Sequence, residues 1–126
     1  MDYEKLIDKS IKSQAYSYAP YSKITVGAAL LAKSGKIYTG CNVENSSYGA
    51  TSCAERNAVY NAISEGESEF CAIAITSNLQ EHIYPCGICR QVLNEFAPDI
   101  EIVLSDSSGN IKITNLRKLL PNSFNL

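Results

Sequence analysis

The sequence has no long apolar run. Its longest, Val26–Ala32 and Phe70–Ile75, fall well short of the ~18–20 residues a membrane-spanning helix needs. It also has no surplus of one charge: the formal net charge is −2, which gives no broad cationic face for nucleic acid or an anionic membrane. The opening residues, Met1-Asp2-Tyr3-Glu4-Lys5, carry neither the basic patch nor the apolar core of a secretory signal, so a cytoplasmic protein is expected. Repeats, low-complexity tracts and Gly/Ser/Pro-rich linkers are missing too. The 126 residues therefore read as a single domain, 1–126. With 45% apolar and 19% charged residues the chain is too apolar to be disordered.

What is present has an α/β rhythm. Tyr3, Leu6, Ile7, Ile11, Ala15 and Tyr18 recur at helical spacing until Pro20. Ile24–Ala32 reads as a largely buried strand, and Lys33-Ser34-Gly35-Lys36 turns it into a second strand, Ile37–Glu44, as an antiparallel hairpin. After the polar loop Asn45–Thr51, Ser52 opens a second helix that stops at Gly66. Phe70–Ser77 is a buried strand, and a loop through Pro85 leads to a third helix from Cys86 to Phe96. Strands at Ile100–Leu104 and Ile111–Ile113 flank the turn Asp106–Asn110, and a short helical stretch, Asn115–Leu120, ends at Pro121. This order predicts one mixed sheet of about five strands sandwiched by helices, a three-layer α/β/α fold.

Five cysteines in a chain without an export signal point to a reducing compartment, where thiols bind metal or react. Cys53 sits at the start of the second helix, and Cys86 and Cys89 at the start of the third. The second helix runs away from one sheet edge by about 21 Å at ~1.5 Å per residue. The following strand returns by about 23 Å at ~3.3 Å per residue. Both helix starts should thus meet beyond the carboxyl end of the Phe70–Ser77 strand, the usual place for a site in such a sheet. Helix N-termini favour thiolates, and three thiolates make a zinc site with one position left for water.

Glu55, in the first turn after Cys53, is placed to exchange a proton with that water. Three thiolates around Zn²⁺ leave a net negative centre, which Arg56 and Arg90 are placed to offset by hydrogen-bonding sulfur. Other readings compete. Cys86-x-x-Cys89 also fits a thioredoxin-like redox pair. Ser52-x-x-Glu55 fits a helix capping box. His82, the only histidine, is near enough in sequence to close a structural Cys₃His site. Cys41 and Cys71 read as small apolar residues within strands.

Pro85-Cys86-Gly87-Ile88-Cys89-Arg90-Gln91 together with Cys53-Ala54-Glu55-Arg56 resembles the zinc-dependent cytidine deaminases, and most closely their small Cys₃ class. The likeness extends to Ala19-Pro20-Tyr21-Ser22-Lys23, Val26-Gly27-Ala28-Ala29-Leu30, Gly40-Cys41-Asn42-Val43-Glu44-Asn45 and Leu119-Leu120-Pro121 with Phe124, so it covers nearly the whole chain. It implies one Zn²⁺ per subunit on Cys53, Cys86 and Cys89, with Glu55 as proton shuttle. The implied reaction is hydrolytic deamination of free cytidine and 2′-deoxycytidine, with ammonia released, in pyrimidine salvage. It also implies that Asn42 and Glu44 bind the ribose 3′-hydroxyl. Two residues apart on a strand, they would face the same way.

Ser46 and Tyr48 would lie near the ribose 5′ end, with Ile24 and Ala54 on the substrate side. Phe124 would reach the pyrimidine from another subunit of a homotetramer with sites at subunit interfaces. Two positions depart from the family pattern: Ile24 stands where Phe is common, removing an aromatic cover for the base, and Ser46 stands where Ala is commoner. Lys9, Lys12, Lys33, Lys36, Lys112, Arg117 and Lys118 are scattered rather than lining a groove, which favours a free nucleoside over a polynucleotide. The nearest enzymatic alternative, a deaminase of aminonucleoside antibiotics, fits less well with Asn42-Val43-Glu44-Asn45, which suits an unmodified ribose.

Overall fold

A computed structural model describes residues 1–126. Asp2 accepts a hydrogen bond from the Lys5 N–H and caps the first helix, α1 (Tyr3–Ser13), whose Leu6 and Ile7 are buried. The helix ends earlier than its apolar spacing predicts. The chain tightens into one 3₁₀ turn at Gln14–Tyr16, and Tyr18 bridges to Val43 instead of continuing the helix. The Tyr18 N–H donates to the Asn42 carbonyl and the Glu44 N–H donates to the Tyr18 carbonyl. Those backbone bonds replace the helical ones Tyr18 would have made.

Five strands follow the expected order: β1 (Val26–Ala32), β2 (Ile37–Cys41), β3 (Phe70–Ser77), β4 (Glu101–Ser105) and β5 (Ile111–Asn115). Helices α2 (Ala54–Ser64), α3 (Gly87–Phe96) and α4 (Leu116–Leu119) complete the fold. The sheet order is β2-β1-β3-β4-β5, with β3 and β4 parallel and every other neighbouring pair antiparallel. This is the single mixed sheet between helical layers predicted above. On one face α1 packs Leu6 and Ile7 on Ala29, Ala72, Ala74 and Val103. On the other, Ala58, Val59 and Ala62 of α2, with Leu93 and Leu116, cover Leu30, Ile73, Ile75, Ile102 and Leu104. β1 and β3 are covered on both faces, which is why each reads as a continuous apolar run rather than an alternating one.

β2 is shorter than predicted. It stops at Cys41, so Asn42 and Glu44 lie beyond the sheet, and Val43 pairs only through single bridges to Tyr18 and Ser52. β1 likewise begins at Val26, leaving Ile24 outside the strand.

Gly40 is what lets α2 sit against β2. A Cβ there would lie 2.4 Å from the Ala54 carbonyl oxygen and 2.5 Å from the Ala58 nitrogen, both helix backbone. Gly40→Ala is expected to lower the unfolding free energy by about 2–3 kcal/mol, the cost of forcing apart a packed contact. A denaturant titration would read this as a lower midpoint with an unchanged slope. At its far end α2 stops at Ser64, and the chain turns away through Glu65 and Gly66, whose φ of +87° suits a residue without Cβ. The Gly66 and Glu67 N–H groups there return to the Ile63 and Ala62 carbonyls.

Candidate zinc centre and active site

Cys53 caps the N-terminus of α2, Cys86 caps that of α3, and Cys89 lies one turn into α3. The away-and-back path of α2 and β3 brings these positions together. All three Sγ atoms lie within 4.8 Å of one another, with no His, Asp or Glu in the cluster. The Cys53 and Cys86 sulfurs are 3.7 Å apart. Tetrahedral zinc at ~2.3 Å from each sulfur holds its sulfurs about 3.8 Å apart, whereas a disulfide needs ~2.05 Å. The thiols are free, and their spacing fits a shared zinc ion. His82 does not close the set. Its Nε2 is 2.9 Å from the Asn110 carbonyl oxygen, at the turn between β4 and β5.

The charges around the sulfurs fit the same ion. The Cys89 thiol, and then the Arg56 guanidinium, stabilise the Cys53 thiolate against partial burial and hold its pKa down to about 5. Cys89 is pushed the other way, by that same bond to Cys53, by burial and by the nearby Glu55. A divalent cation among three sulfurs reverses this penalty, because coordinated thiols deprotonate. Arg56 donates to the Cys53 Sγ at 3.4 Å and to the Thr51 carbonyl at 3.3 Å, the sulfur contact predicted for it. Arg90 does not make the corresponding bond. Its Nε donates to the Pro85 carbonyl and its Nη1 to the Leu119 carbonyl, so it ties the start of α3 to the end of α4.

Glu55 is almost fully buried, at 3% exposure. Burial first, with the Cys53 charge adding, pushes its pKa up to about 7 despite its own backbone N–H. The capping box suggested by Ser52-x-x-Glu55 is not formed. Cys53, not Ser52, is the N-cap and makes no side-chain cap bond, while the Ser52 hydroxyl donates to Asn57 Oδ1. Asn57 in turn donates to the Cys41 carbonyl, tying α2 to the end of β2.

A cavity of about 280 Å³ opens beside the thiols, near the lower end of small-ligand pockets. Of the predicted residues it gathers Ile24, Asn42, Glu44, Cys53, Ala54, Glu55 and Cys86 along its walls. The Asn42 amide accepts the Val26 N–H and donates to the Ile24 carbonyl. Glu44 accepts the Tyr21 and Ser22 N–H groups and the Ser22 hydroxyl, and the hydroxyl bond foremost keeps its carboxyl below the usual carboxylate range.

Ser46 hydrogen-bonds Tyr21 at 2.7 Å, and Tyr48 borders an adjoining hollow with Tyr21, Ser22 and Glu44. Phe124 lies outside the cavity. Its ring is exposed, and its carbonyl accepts from Gln91 and Asn94 of α3. Ser22 and Val26, from two of the segments that carry the family likeness, also line the cavity; Thr51, Ser52, Ile83 and Tyr84 line it too and were not anticipated. For Ser52 and Tyr84, nearness in sequence to Cys53 and Cys86 was the available signal.

Three clustered thiols suited to zinc, with a buried carboxyl and a largely apolar cavity that carries Asn42 and Glu44 on its wall, set at the carboxyl edge of a mixed sheet, define a zinc-dependent hydrolytic site. Residues 1–105 match the profile of the cytidine and deoxycytidylate deaminase zinc-binding region. The chain is 48% identical to a cytidine deaminase of Sporosarcina psychrophila over 125 residues, covering 98% of this chain and 92% of that one. It is 43% identical to the cytidine deaminase of Halalkalibacterium halodurans, covering 98% and 95%. The crystal structure of a Burkholderia pseudomallei cytidine deaminase superposes with a TM-score of 0.94 at 43% identity, covering 98% of this chain and all of that one. The chain belongs to the cytidine and deoxycytidylate deaminase family and binds zinc. No helix is long and apolar enough to cross a membrane.

Proposed function

We propose that this chain hydrolyses the C4 amine of free cytidine and 2′-deoxycytidine, giving uridine or 2′-deoxyuridine and ammonia. One observation carries this reading: Glu55, Cys53 and Cys86 line one cavity with Asn42 and Glu44, and the Cys89 sulfur lies within 4.8 Å of the other two. Cys53, Cys86 and Cys89 would hold the zinc, which when bound would supply a Lewis acid that makes a water easier to deprotonate.

Glu55 takes a proton from the attacking water as the new C4–O bond forms. It passes that proton to N3, then takes the remaining proton from the new C4 hydroxyl and passes it to the amine, so that the C4 carbonyl forms as the C4–N bond breaks and ammonia leaves. Arg56 offsets the surplus negative charge of the sulfurs through its bond to Cys53. The Ile24 and Ala54 side chains cover the base. The Asn42 amide has one N–H beyond its bond to Ile24, and Glu44 Oε2 has a lone pair beyond its bond to Ser22, so both can meet a ribose hydroxyl.

The same reading makes residues 1–126 one deaminase domain, working in the cytoplasm as a homotetramer with sites at subunit interfaces. Tyr48 and Phe124, both exposed aromatics on segments flanking the site or α3, support such contacts. The test is the loss of cytidine absorbance in the ultraviolet, with metal analysis of the same sample and a bulkier cytosine nucleoside as competitor substrate. Turnover of cytidine with one zinc per chain is expected. Preference for the bulkier nucleoside, or no turnover with full zinc, overturns the reading.

A further inference from the structure

The stretch from Tyr21 to Thr25 belongs to no strand, yet Ile24 on it forms a wall of the cavity. Lys23, immediately before, has a φ of +62°, a left-handed conformation that a residue with a Cβ adopts only when its surroundings hold it there. Two asparagines straddle the stretch. Asn42, just past β2, holds Ile24 and Val26: its Nδ2 donates to the Ile24 carbonyl at 2.8 Å, and its Oδ1 accepts the Val26 N–H at 2.9 Å.

Asn78, just past β3, holds the alternate peptide groups. Its Nδ2 donates to the Lys23 carbonyl at 3.0 Å, its Oδ1 accepts the Thr25 N–H at 3.1 Å, and its own N–H donates to the Thr25 carbonyl at 3.1 Å. Extended backbone presents successive peptide groups to opposite sides. The two side chains therefore extend the ladders beyond the ends of β2 and β3, and Ile24 is pinned from both flanks. Asn78 itself does not line the cavity.

We propose that Asn78 is a positioning residue for substrate: by holding Lys23 and Thr25 it sets how far Ile24 projects over the bound pyrimidine ring. Its role rests on the reading of this cavity as the nucleoside site. Without the two side-chain bonds, only the Asn78 N–H still holds the stretch on that side, at the Thr25 carbonyl; Ile24 gains freedom and the ring loses a fixed apolar cover. The chemistry at the thiols and Glu55 is untouched.

The experiment measures KM and kcat for cytidine in Asn78→Ala, Asn78→Asp and Ile24→Ala, and in the Asn78→Ala/Ile24→Ala double variant. Asn78→Ala is expected to raise KM about tenfold, the size of one or two lost hydrogen bonds, with kcat, zinc content and Tm near wild type. Asn78→Asp keeps the Thr25 bond and loses the Lys23 bond, so its KM falls between the two. In the Ile24→Ala background the Asn78→Ala effect on KM should vanish, because Asn78 acts through Ile24. A wild-type KM in Asn78→Ala, or an equal rise in the Ile24→Ala background, overturns the proposal.

Amide hydrogen exchange gives an arm independent of turnover. In Asn78→Ala the Thr25 amide should exchange about tenfold faster while the Val26 amide, held by Asn42, stays protected. Unchanged Thr25 exchange overturns the clamp even if cytidine is not the substrate. An inactive wild type with the expected exchange pattern contradicts only the nucleoside reading.

Discussion

Glu55→Gln is expected to retain one zinc per chain and a near-native Tm while kcat for cytidine deamination falls about 10³–10⁴-fold, the upper range for loss of a positioned general acid–base group. Glutamine matches the shape of the carboxyl and fits the same buried space, which is 3% exposed, so a folding defect does not explain a slow variant. The amide can still hydrogen-bond, but it cannot take a proton from water and pass it to nitrogen. Because the carboxyl has no alternative task as a helix cap, with Ser52 turned instead to Asn57, the substitution isolates proton transfer. The measurement is steady-state deamination with metal analysis and thermal unfolding of the same preparation. Turnover within tenfold of wild type would remove Glu55 from the proton pathway.

Cys89→Ala is expected to have its largest effect on metal. Structural zinc sites bind with roughly 10–16 kcal/mol spread over four ligands, so one lost thiolate weakens affinity by about 10²–10³-fold. Cys89 is fully buried in the first turn of α3, and its replacement leaves Cys53 and Cys86 as a two-sulfur remnant at the helix caps. Competition with a chromogenic chelator should show the variant surrendering zinc at chelator concentrations that leave the wild type loaded, with activity falling in step. Retention of zinc at wild-type affinity would take Cys89 out of the ligand set.

The sequence exposes the site more clearly than the loops around it. Cys53, Cys86 and Cys89 are legible because helix rise and strand rise nearly cancel between them, a length argument that holds whatever the side chains in between. The buried strands are legible because β1 and β3, covered on both faces, read as unbroken apolar runs. What does not show is where side chains take over from backbone. Ile37–Glu44 reads as one strand, but the chain leaves the sheet after Cys41 because the Asn42 amide pairs with Ile24 and Val26. The helical spacing through Tyr18 is overruled in the same way by its pairing with Val43.

Arg90 shows a further limit. Adjacency to Cys89 in sequence suggests a bond to sulfur, but in the folded chain the carbonyls of Pro85 and Leu119 are the nearer partners. Tertiary competition for one guanidinium has no signature in local sequence. Phe124 has none either: its place along α3 depends on Gln91 and Asn94 holding its carbonyl, thirty or more residues away in sequence.

Zinc K-edge X-ray absorption on the wild-type protein addresses the central claim most directly. Two helix starts pooling three thiolates around an ion with room for water predict a shell of three sulfurs at about 2.3 Å and one oxygen at about 2.0 Å. A fourth sulfur, or the multiple-scattering pattern of an imidazole, would mean a site closed by side chains and would contradict it.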